Sequence, residues 1–144
     1  HLESILIGRL FQSVLIEPRM ANPEVLIIAY GSIARMVIDN YEELFIDTDT
    51  IFSVLTPQLL HPFPVNHFSQ SLNNIQKVLI VEEGPECYGW ADGILSKLHQ
   101  QNNALNIRTL SSKAIPIPSI RSLEDEVLVS LKGVRDALIK MKNE

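Results

Sequence analysis

Length, composition and charge exclude several classes of protein. The 144 residues suffice for one domain with one core, and no apolar run reaches the roughly 20 residues of a membrane helix. The net charge of -5, with Lys and Arg dispersed, disfavours nucleic-acid binding. The single cysteine, Cys87, excludes an internal disulfide, and the first residues show no secretion signal. We therefore expect a soluble, cytoplasmic protein with no nucleic-acid or membrane partner.

The opening stretch is typical of an extended segment that enters a domain. Residues 7–18, IGRLFQSVLIEP, are read as an additional edge strand, and Pro18 and Pro23 mark its end. We assign residues 1–23 to a linker and edge strand, and residues 24–144 to the domain itself.

Blocks of strand-like and helix-like pattern alternate through the rest of the chain. Continuous apolar runs predict strands at VLIIAY (25–30), TIFSVL (50–55), KVLIVE (77–82) and, more weakly, LNIRTL (105–110). A helix pattern follows each run, and we predict that Ser32 and Ser130 cap the first and last helices. Strands that alternate with helices are joined by right-handed parallel crossovers. The sequence therefore predicts a three-layer α/β/α domain.

The loop after the third of these runs concentrates reactive side chains. Residues 82–93, EEGPECYGWADG, combine carboxylates, glycines, a thiol and two aromatic rings at a predicted helix N-terminus. Such a terminus can hold an anion, but Glu82, Glu83 and Glu86 would repel one. The alternative interpretation is a tight turn before a helix that is packed by Trp90.

Signatures of catalysis and metal binding are weak. Cys87 has three glutamates and no histidine near it in sequence, which disfavours an activated thiolate. His61, His67 and His99 match no metal-ligand spacing. The phosphate-binding patterns GxGxxG and GxxxxGK[ST] do not occur. These patterns identify no catalytic or metal-binding residue.

Three stretches, in order, resemble one family. They are PEVLIIAYGSIARMVIDN (23–40), KVLIVEEGPECYGWADGILSKL (77–98) and IPIPSIRSLEDEVLVSLKGVRDAL (115–138). Together they resemble the C-terminal, transketolase-like domain of thiamine-diphosphate-dependent enzymes, and most closely that of a 2-oxo acid dehydrogenase β subunit of the pyruvate or branched-chain type. Related domains occur in transketolase, deoxyxylulose-phosphate synthase and 2-oxo acid:ferredoxin oxidoreductases. LLHPFP (59–64) is closer to the last of these, whereas the Ile-Pro-Ile-Pro segment favours the dehydrogenase.

The resemblance implies a fold, and it also implies that this domain is non-catalytic. The implied fold is a five-stranded, mostly parallel mixed sheet with one antiparallel strand and helices on both faces. In such enzymes thiamine diphosphate and Mg2+ lie between two other domains. The signature that holds the diphosphate, Gly-Asp-Gly followed much later by Asn, is not matched by Ala91-Asp92-Gly93 with Asn102-Asn103 close behind. We therefore predict no catalytic, cofactor-binding or metal-binding residue in this domain.

The resemblance also implies partners. Domains of this family pair subunits, as homo-dimers or hetero-oligomers, and in dehydrogenase complexes offer a docking surface to the acyltransferase core. We expect this domain to be an inactive part of an oxidoreductase. Two alternatives remain: an independent module that holds a small anion or nucleotide at the loops near residues 31, 56 and 82, and an enzyme with Cys87 as nucleophile. The predicted contact residues for other domains or subunits are Glu82, Glu83, Pro85, Tyr88 and Trp90.

Overall fold

Six strands and six helices follow one another in the computed structural model, which describes residues 1–72, 74–102 and 104–144. The strands are β1 (Leu2–Ile7), β2 (Ser13–Pro18), β3 (Val25–Ala29), β4 (Phe52–Thr56), β5 (Lys77–Pro85) and β6 (Asn106–Ser112). The helices are α1 (Gly31–Asp39), α2 (Tyr41–Thr48), α3 (Val65–Ser71), α4 (Trp90–Gln101), α5 (Arg121–Val127) and α6 (Leu131–Lys142). No helix in these ranges is long and apolar enough to cross a membrane.

All six strands form one mixed sheet in the order β1-β2-β4-β3-β5-β6. Strands β3 to β6 pair in parallel, whereas β2 is antiparallel to both of its neighbours, β1 and β4. β2 is thus the one strand of this sheet that runs against the others. The predicted fold class, a mostly parallel mixed sheet with one antiparallel strand, is confirmed.

The sheet has one strand more than predicted, because the start of the chain folds back on itself. Leu2 lies opposite Pro18 and Ile7 lies opposite Ser13, so β1 and β2 form a hairpin. Gly8, at φ +93°, lies in the turn and allows the reversal. The interpretation of residues 7–18 as one edge strand is therefore wrong: the segment contains a turn, and β2 lies inside the sheet. The division of the chain at residue 23 stays a prediction.

Helices cover both faces of the sheet and bury two hydrophobic layers. Leu26 and Ile28 of β3 pack with Phe68 of α3 and with Ile94 and Leu98 of α4. On the opposite face, the alternate β3 residues pack against α1, α2 and α6, in a layer that includes Val25, Ile27, Ala29, Val37, Leu44, Val134 and Leu138. Because both faces are buried, β3 needs apolar residues at every position. The predicted three-layer architecture is confirmed.

The two serines predicted to cap helices behave differently. Ser130 does cap α6, since its Oγ accepts a hydrogen bond of 3.2 Å from the backbone N of Gly133. Ser32 does not cap α1, because that helix begins one residue earlier, at Gly31, with Tyr30 as its N-cap. Ser32 Oγ instead donates to the Glu83 carboxylate. The prediction for Ser32 is thus wrong, and the residue links α1 to the end of β5.

Candidate functional site

The loop between β5 and α4 lies at the carboxyl edge of the parallel strands. The register of β5 shifts between Val81 and Pro85, and Pro85 then pairs again with Ser112 of β6. The backbone N of Glu86 donates to Ser112 O at 2.8 Å, and Ser112 Oγ donates to Glu83 O at 2.7 Å. The end of β5 and the first loop residue, Glu86, are therefore held to Ser112 at the end of β6.

Glu82 lies in β5, shortly before this loop, and is buried. The residue is 1% exposed, and its Oε1 accepts a hydrogen bond of 3.1 Å from Ser111 Oγ. Gly89 lies directly against the carboxylate: a Cβ on Gly89 would stand 1.9 Å from Oε1. A side chain at this place would require the Glu82 carboxylate to shift, so Gly89 makes room for the buried acid.

Trp90, the first residue of α4, joins three segments of the chain. Its ring makes edge-to-face contacts with Tyr30, at 5.0 Å between centroids, and with Phe63, at 5.8 Å. Its Nε1 donates to the backbone O of Leu60 at 2.9 Å. The aromatic cluster of Tyr30, Phe63 and Trp90 therefore fills space where β3 and β5 end, as expected for a helix packed by Trp90.

The carboxyl edge is electrostatically negative. Partial burial raises the pKa of the Tyr30 hydroxyl, and the charges of Glu82 and Glu83 raise it further. Both carboxylates therefore act on a group at the end of β3. An anion placed here would meet two negative charges and a hydroxyl that resists ionisation.

The five predicted contact residues are brought to one edge but differ in exposure. Glu83 and Pro85 are exposed, and Tyr88 is 88% exposed. Trp90 is half-buried in the aromatic cluster, and Glu82 is buried. Their role as contact residues stays a prediction.

A further apolar surface, which was not predicted from the sequence, lies on the segment that leaves β6. Lys113 follows the end of β6 and donates its backbone N to Val127 O at 3.0 Å. The segment beyond it is not helical until α5, as its prolines predict. Its isoleucines are exposed: Ile115 by 53%, Ile117 by 60% and Ile120 by 61%. Leu123, in the first turn of α5, is 45% exposed. The alternating prolines are the sequence feature that indicates this exposure, because they prevent these isoleucines from joining a helix or the interior of a sheet.

The histidines and the other candidate catalytic or metal-binding residues do not form one site. His67 Nδ1 lies 2.8 Å from Ser13 Oγ, so this histidine joins α3 to β2. Within the described ranges, no group of three His, Cys, Asp or Glu side chains could hold a metal. Cys87 is exposed on the loop, at φ +74°. Ala91, Asp92 and Gly93 lie in the first turns of α4, whereas Asn103 falls outside the described residues.

Two surface cavities lie elsewhere. One of about 560 Å³ lies between the start of β1, the end of β2 and the junction of α1 and α2, at the opposite edge of the sheet. The other, of about 500 Å³, lies between β6 and α6. Neither includes a residue of the loop from Glu82 to Trp90.

Comparisons with known proteins agree with this fold. The profile of the family described as "Transketolase, C-terminal domain" matches residues 15–134. A similar solved structure is that of a split-gene transketolase, an inactive β4 tetramer, with 14% sequence identity and a TM-score of 0.71. The superposition covers 85% of this chain and 40% of that chain. A search of curated proteins returned no match.

Proposed function

The chain belongs to the transketolase C-terminal domain family, and from this premise we propose that it is the non-catalytic C-terminal domain of a thiamine-diphosphate-dependent enzyme, with a role in assembly. The observation that carries the proposal is the family match over residues 15–134. The chain spans 40% of the length of the transketolase chain it resembles, so the activity of a whole enzyme is itself part of the proposal.

We further propose that the parent enzyme is a decarboxylating 2-oxo acid dehydrogenase and that this domain belongs to its β subunit. The support is the resemblance of residues 77–98 and of the Ile-Pro-Ile-Pro segment at 115–118. LLHPFP supports an equivalent domain of a 2-oxo acid:ferredoxin oxidoreductase, and the solved neighbour is a transketolase. The coding sequence upstream of His1 tests this parentage, because the proposal predicts a pyrimidine-binding domain of the 2-oxo acid dehydrogenase β subunit there.

The parent enzyme would carry thiamine diphosphate and Mg2+, but the residues of this chain do not fit that site. A Mg2+ site needs oxygen ligands that converge in near-octahedral geometry. Asp92, the acid of the Ala91-Asp92-Gly93 sequence, is exposed in the first turn of α4. Glu82 is buried, its carboxylate accepts a hydrogen bond from Ser111, and Gly89 packs directly against it. We therefore assign no cofactor ligand to this domain.

Titration calorimetry tests the cofactor part of the proposal. Thiamine diphosphate with Mg2+ should give no binding heat with the chain alone at ligand concentrations up to about 1 mM, which corresponds to about 4 kcal/mol of binding free energy. Micromolar affinity would contradict a non-catalytic role.

The exposed side of the loop is the proposed contact surface for another domain. Aromatic residues are enriched in interfaces, and Tyr88 presents 88% of its surface to solvent at the end of a loop that is tied to β6. Exposed isoleucines also follow in residues 115–120, shortly after Ser112, the β6 residue that pairs with Pro85. A surface of this kind is typical of an interaction site.

Binding to a separately produced pyrimidine-binding domain of a 2-oxo acid dehydrogenase β subunit tests this surface. The fluorescence of Trp90, the single tryptophan, provides a signal beside the loop. If Tyr88 is a central contact, Tyr88→Ala should weaken association by about 2 kcal/mol or more. Ile46→Ala is the matched control, because Ile46 is 75% exposed on α2, away from the loop. Equal loss in both variants, or in neither, would contradict the assigned surface.

The alternative of an anion or nucleotide module finds little support in this geometry. The aromatic cluster fills the ends of β3 and β5, and Glu82 and Glu83 make the edge negative. Inorganic phosphate and AMP provide the test, followed by NMR chemical shifts of the loop amides. Saturable shifts of the amides from residue 83 to residue 90 would favour the module over the assembly domain.

A further inference from the structure

The cavity of about 560 Å³ lies at the amino edge of the parallel strands, opposite the loop after β5. Several of its walls are apolar: Leu2 of β1, Pro18 of β2, Ile38 of α1 and Phe45 of α2 line it. Small molecules bind in cavities of about 300–1,000 Å³ whose walls are mostly apolar and carry a few polar groups. The size and walls of this cavity therefore fit a small ligand.

Two aromatic side chains of α2 form part of the wall. Tyr41 and Phe45 both line the cavity and are four residues apart, so they are neighbours on one face of the helix. The Tyr41 hydroxyl donates to Phe52 O at 2.8 Å, and the two rings lie 4.2 Å apart between centroids. Phe45 is 39% exposed. Tyr41 is thus fixed in place, and Phe45 has apolar surface that a ligand would cover.

The charged groups that line the cavity are acidic. Asp39, Glu42 and Glu43 contribute carboxylates, whereas no Lys or Arg is among the lining residues in the described part of the chain. Glu42 is exposed and forms no ion pair within the same ranges. A concave surface lined by one sign of charge attracts ions of the other sign. The cavity therefore favours a cation and repels an anion.

The arginines nearby neutralise these acids only in part. Arg35 pairs with Asp39 at 2.6 Å, but both side chains are at least half exposed, where an ion pair contributes little. Arg135 pairs with Glu43 at 2.6 Å and also with Asp47 at 2.7 Å, so one guanidinium serves two carboxylates. The charge beside the cavity therefore stays negative.

The ends of two helices meet at the cavity and separate the acids into two kinds. Glu42 and Glu43 lie in the first turn of α2, where the helix dipole stabilises a carboxylate, so the fold alone accounts for them. Asp39 is the last residue of α1, whose last turn contains no basic residue. A helix C-terminus favours a positive charge. A bound cation would therefore offset both the Asp39 carboxylate and the negative end of α1.

We propose that this cavity binds a small organic ammonium ion, with the ammonium group near Asp39 and Glu42 and an apolar body against Tyr41 and Phe45. Burial of the body against apolar walls and the attraction of the cation to the carboxylates and aromatic rings both contribute. The site goes beyond the proposed assembly function and does not depend on it, because the cavity includes no residue of the loop after β5.

NMR titration of the full chain with three compounds of similar shape tests the ligand class. 2-Phenylethylammonium should shift the backbone amides of residues 38–45 in a saturable way, with a dissociation constant of about 1 mM or lower. 2-Phenylethanol, which lacks the charge, should bind at least about fivefold more weakly, and 3-phenylpropanoate should not bind. Equal affinity for the ammonium and the alcohol, or no saturation by the ammonium up to about 10 mM, would overturn the proposal.

A fourth compound separates a small ligand from the side chain of a partner protein. Nα-acetyl-lysine methylamide carries its ammonium on a flexible aliphatic stem, as a lysine of another protein would. It should bind at least about fivefold more weakly than 2-phenylethylammonium, because it has no rigid apolar body to cover Phe45. Tighter binding of the lysine derivative would assign the cavity to a protein partner and overturn the small-ligand proposal.

Glu42→Gln tests the charge at the site. This variant should bind 2-phenylethylammonium about threefold more weakly, because a carboxylate near the ammonium is lost, and should bind 2-phenylethanol as before. Glu126→Gln is the matched control, since Glu126 is exposed on α5 and does not line the cavity. An equal loss in both variants would show that net charge, and not this site, attracts the cation.

Phe45→Ala tests the apolar wall. The variant should bind the ammonium and the alcohol more weakly by the same factor, at least about threefold, because both compounds cover this ring. Ile46→Ala is its control, because Ile46 is the next residue, is 75% exposed and does not line the cavity. The dispersion of the amide spectrum shows that each variant is folded. Binding that Ile46→Ala weakens and Phe45→Ala does not would contradict the assigned cavity.

Discussion

Glu82 and Gly89 are fitted to each other at the carboxyl edge of the sheet, since the Cβ that Gly89 lacks would stand 1.9 Å from Glu82 Oε1. The same carboxylate oxygen accepts a hydrogen bond from Ser111. The acid cannot move away from Gly89 without losing a partner while it is buried. The packing of Glu82 at the end of β5 thus depends on residue 89 having no Cβ.

We predict that Gly89→Ala destabilises the fold by about 1–3 kcal/mol, because overpacking displaces the Glu82 carboxylate from its hydrogen bond. Urea unfolding followed by circular dichroism measures the change. Gly93→Ala is the control: nothing lies within 4 Å of its missing Cβ, and Gly93 is inside α4. That substitution should stabilise the protein by up to about 1 kcal/mol, because alanine favours a helix. Equal effects at the two glycines would contradict the role of Glu82.

Trp90→Phe should cost about 1–3 kcal/mol. The substitution removes the Nε1 donor that lies 2.9 Å from Leu60 O and leaves that carbonyl without this donor. Circular dichroism is the appropriate readout, because Trp90 is the single tryptophan and its fluorescence disappears with it. Tyr88→Phe, at an 88% exposed position, should change stability by less than about 0.5 kcal/mol. A Trp90→Phe variant as stable as Tyr88→Phe would show that the Leu60 bond contributes nothing.

The two serines give a paired prediction. Ser130→Ala should destabilise the protein by about 1 kcal/mol, since it removes the acceptor for the backbone N of Gly133 at the start of α6. Ser32→Ala removes a hydrogen bond between exposed side chains and should cost less than about 0.5 kcal/mol. Thermal unfolding of both variants in parallel is sufficient. The reverse order of stability would mean that Ser32, and not Ser130, supports its helix.

Asp49 should make stability depend on pH in the acid range. The hydrogen bond from Lys142 Nζ, at 2.6 Å, lowers the pKa of Asp49 below its usual 3.8, and the charge of Lys142 lowers it further. A carboxyl whose folded-state pKa is lowered stabilises the fold above its unfolded pKa, and this contribution is lost as pH falls through the folded pKa. Asp49→Asn should therefore unfold more readily than the parent chain at pH 6.

The difference between these two proteins should shrink as pH falls below about 4. It should also shrink in 1 M NaCl, because salt screens a solvent-exposed ion pair to a Debye length of about 3 Å. Urea midpoints measured from pH 2 to pH 7 provide the comparison. A difference that is the same at pH 2 and at pH 6 would assign the effect to something other than the charge of Asp49.

The strands that are buried on both faces could be predicted from sequence, whereas contacts that depend on two distant segments could not. Each position of Val25–Ala29 is apolar because each is buried, so the run itself identifies β3. The end of β5 was less predictable: the strand continues to Pro85 only because a register shift lets it pair again with Ser112. No local pattern contains that pairing.

The candidate site shows the same limit. Glutamate side chains are usually exposed, so the sequence predicts Glu82 at the surface. Glu82 is instead 1% exposed, because Ser111 and Gly89 lie beside it in the fold. Ser32 and Ser130 both precede helix patterns, and only the position of Glu83 explains why Ser32 bonds elsewhere. The exposed isoleucines of residues 115–120 are the reverse case, since apolar residues are expected inside.

Cys87 gives the loop a practical use. It is the single thiol of the chain, is exposed, and lies next to Tyr88. A maleimide-linked nitroxide would therefore attach at one place without any prior mutation. In a dimer the two labels would report one distance by pulsed electron resonance, and in a complex with another domain the mobility of the label would report contact at Tyr88. The same reagent would thus report directly whether another domain binds at the loop.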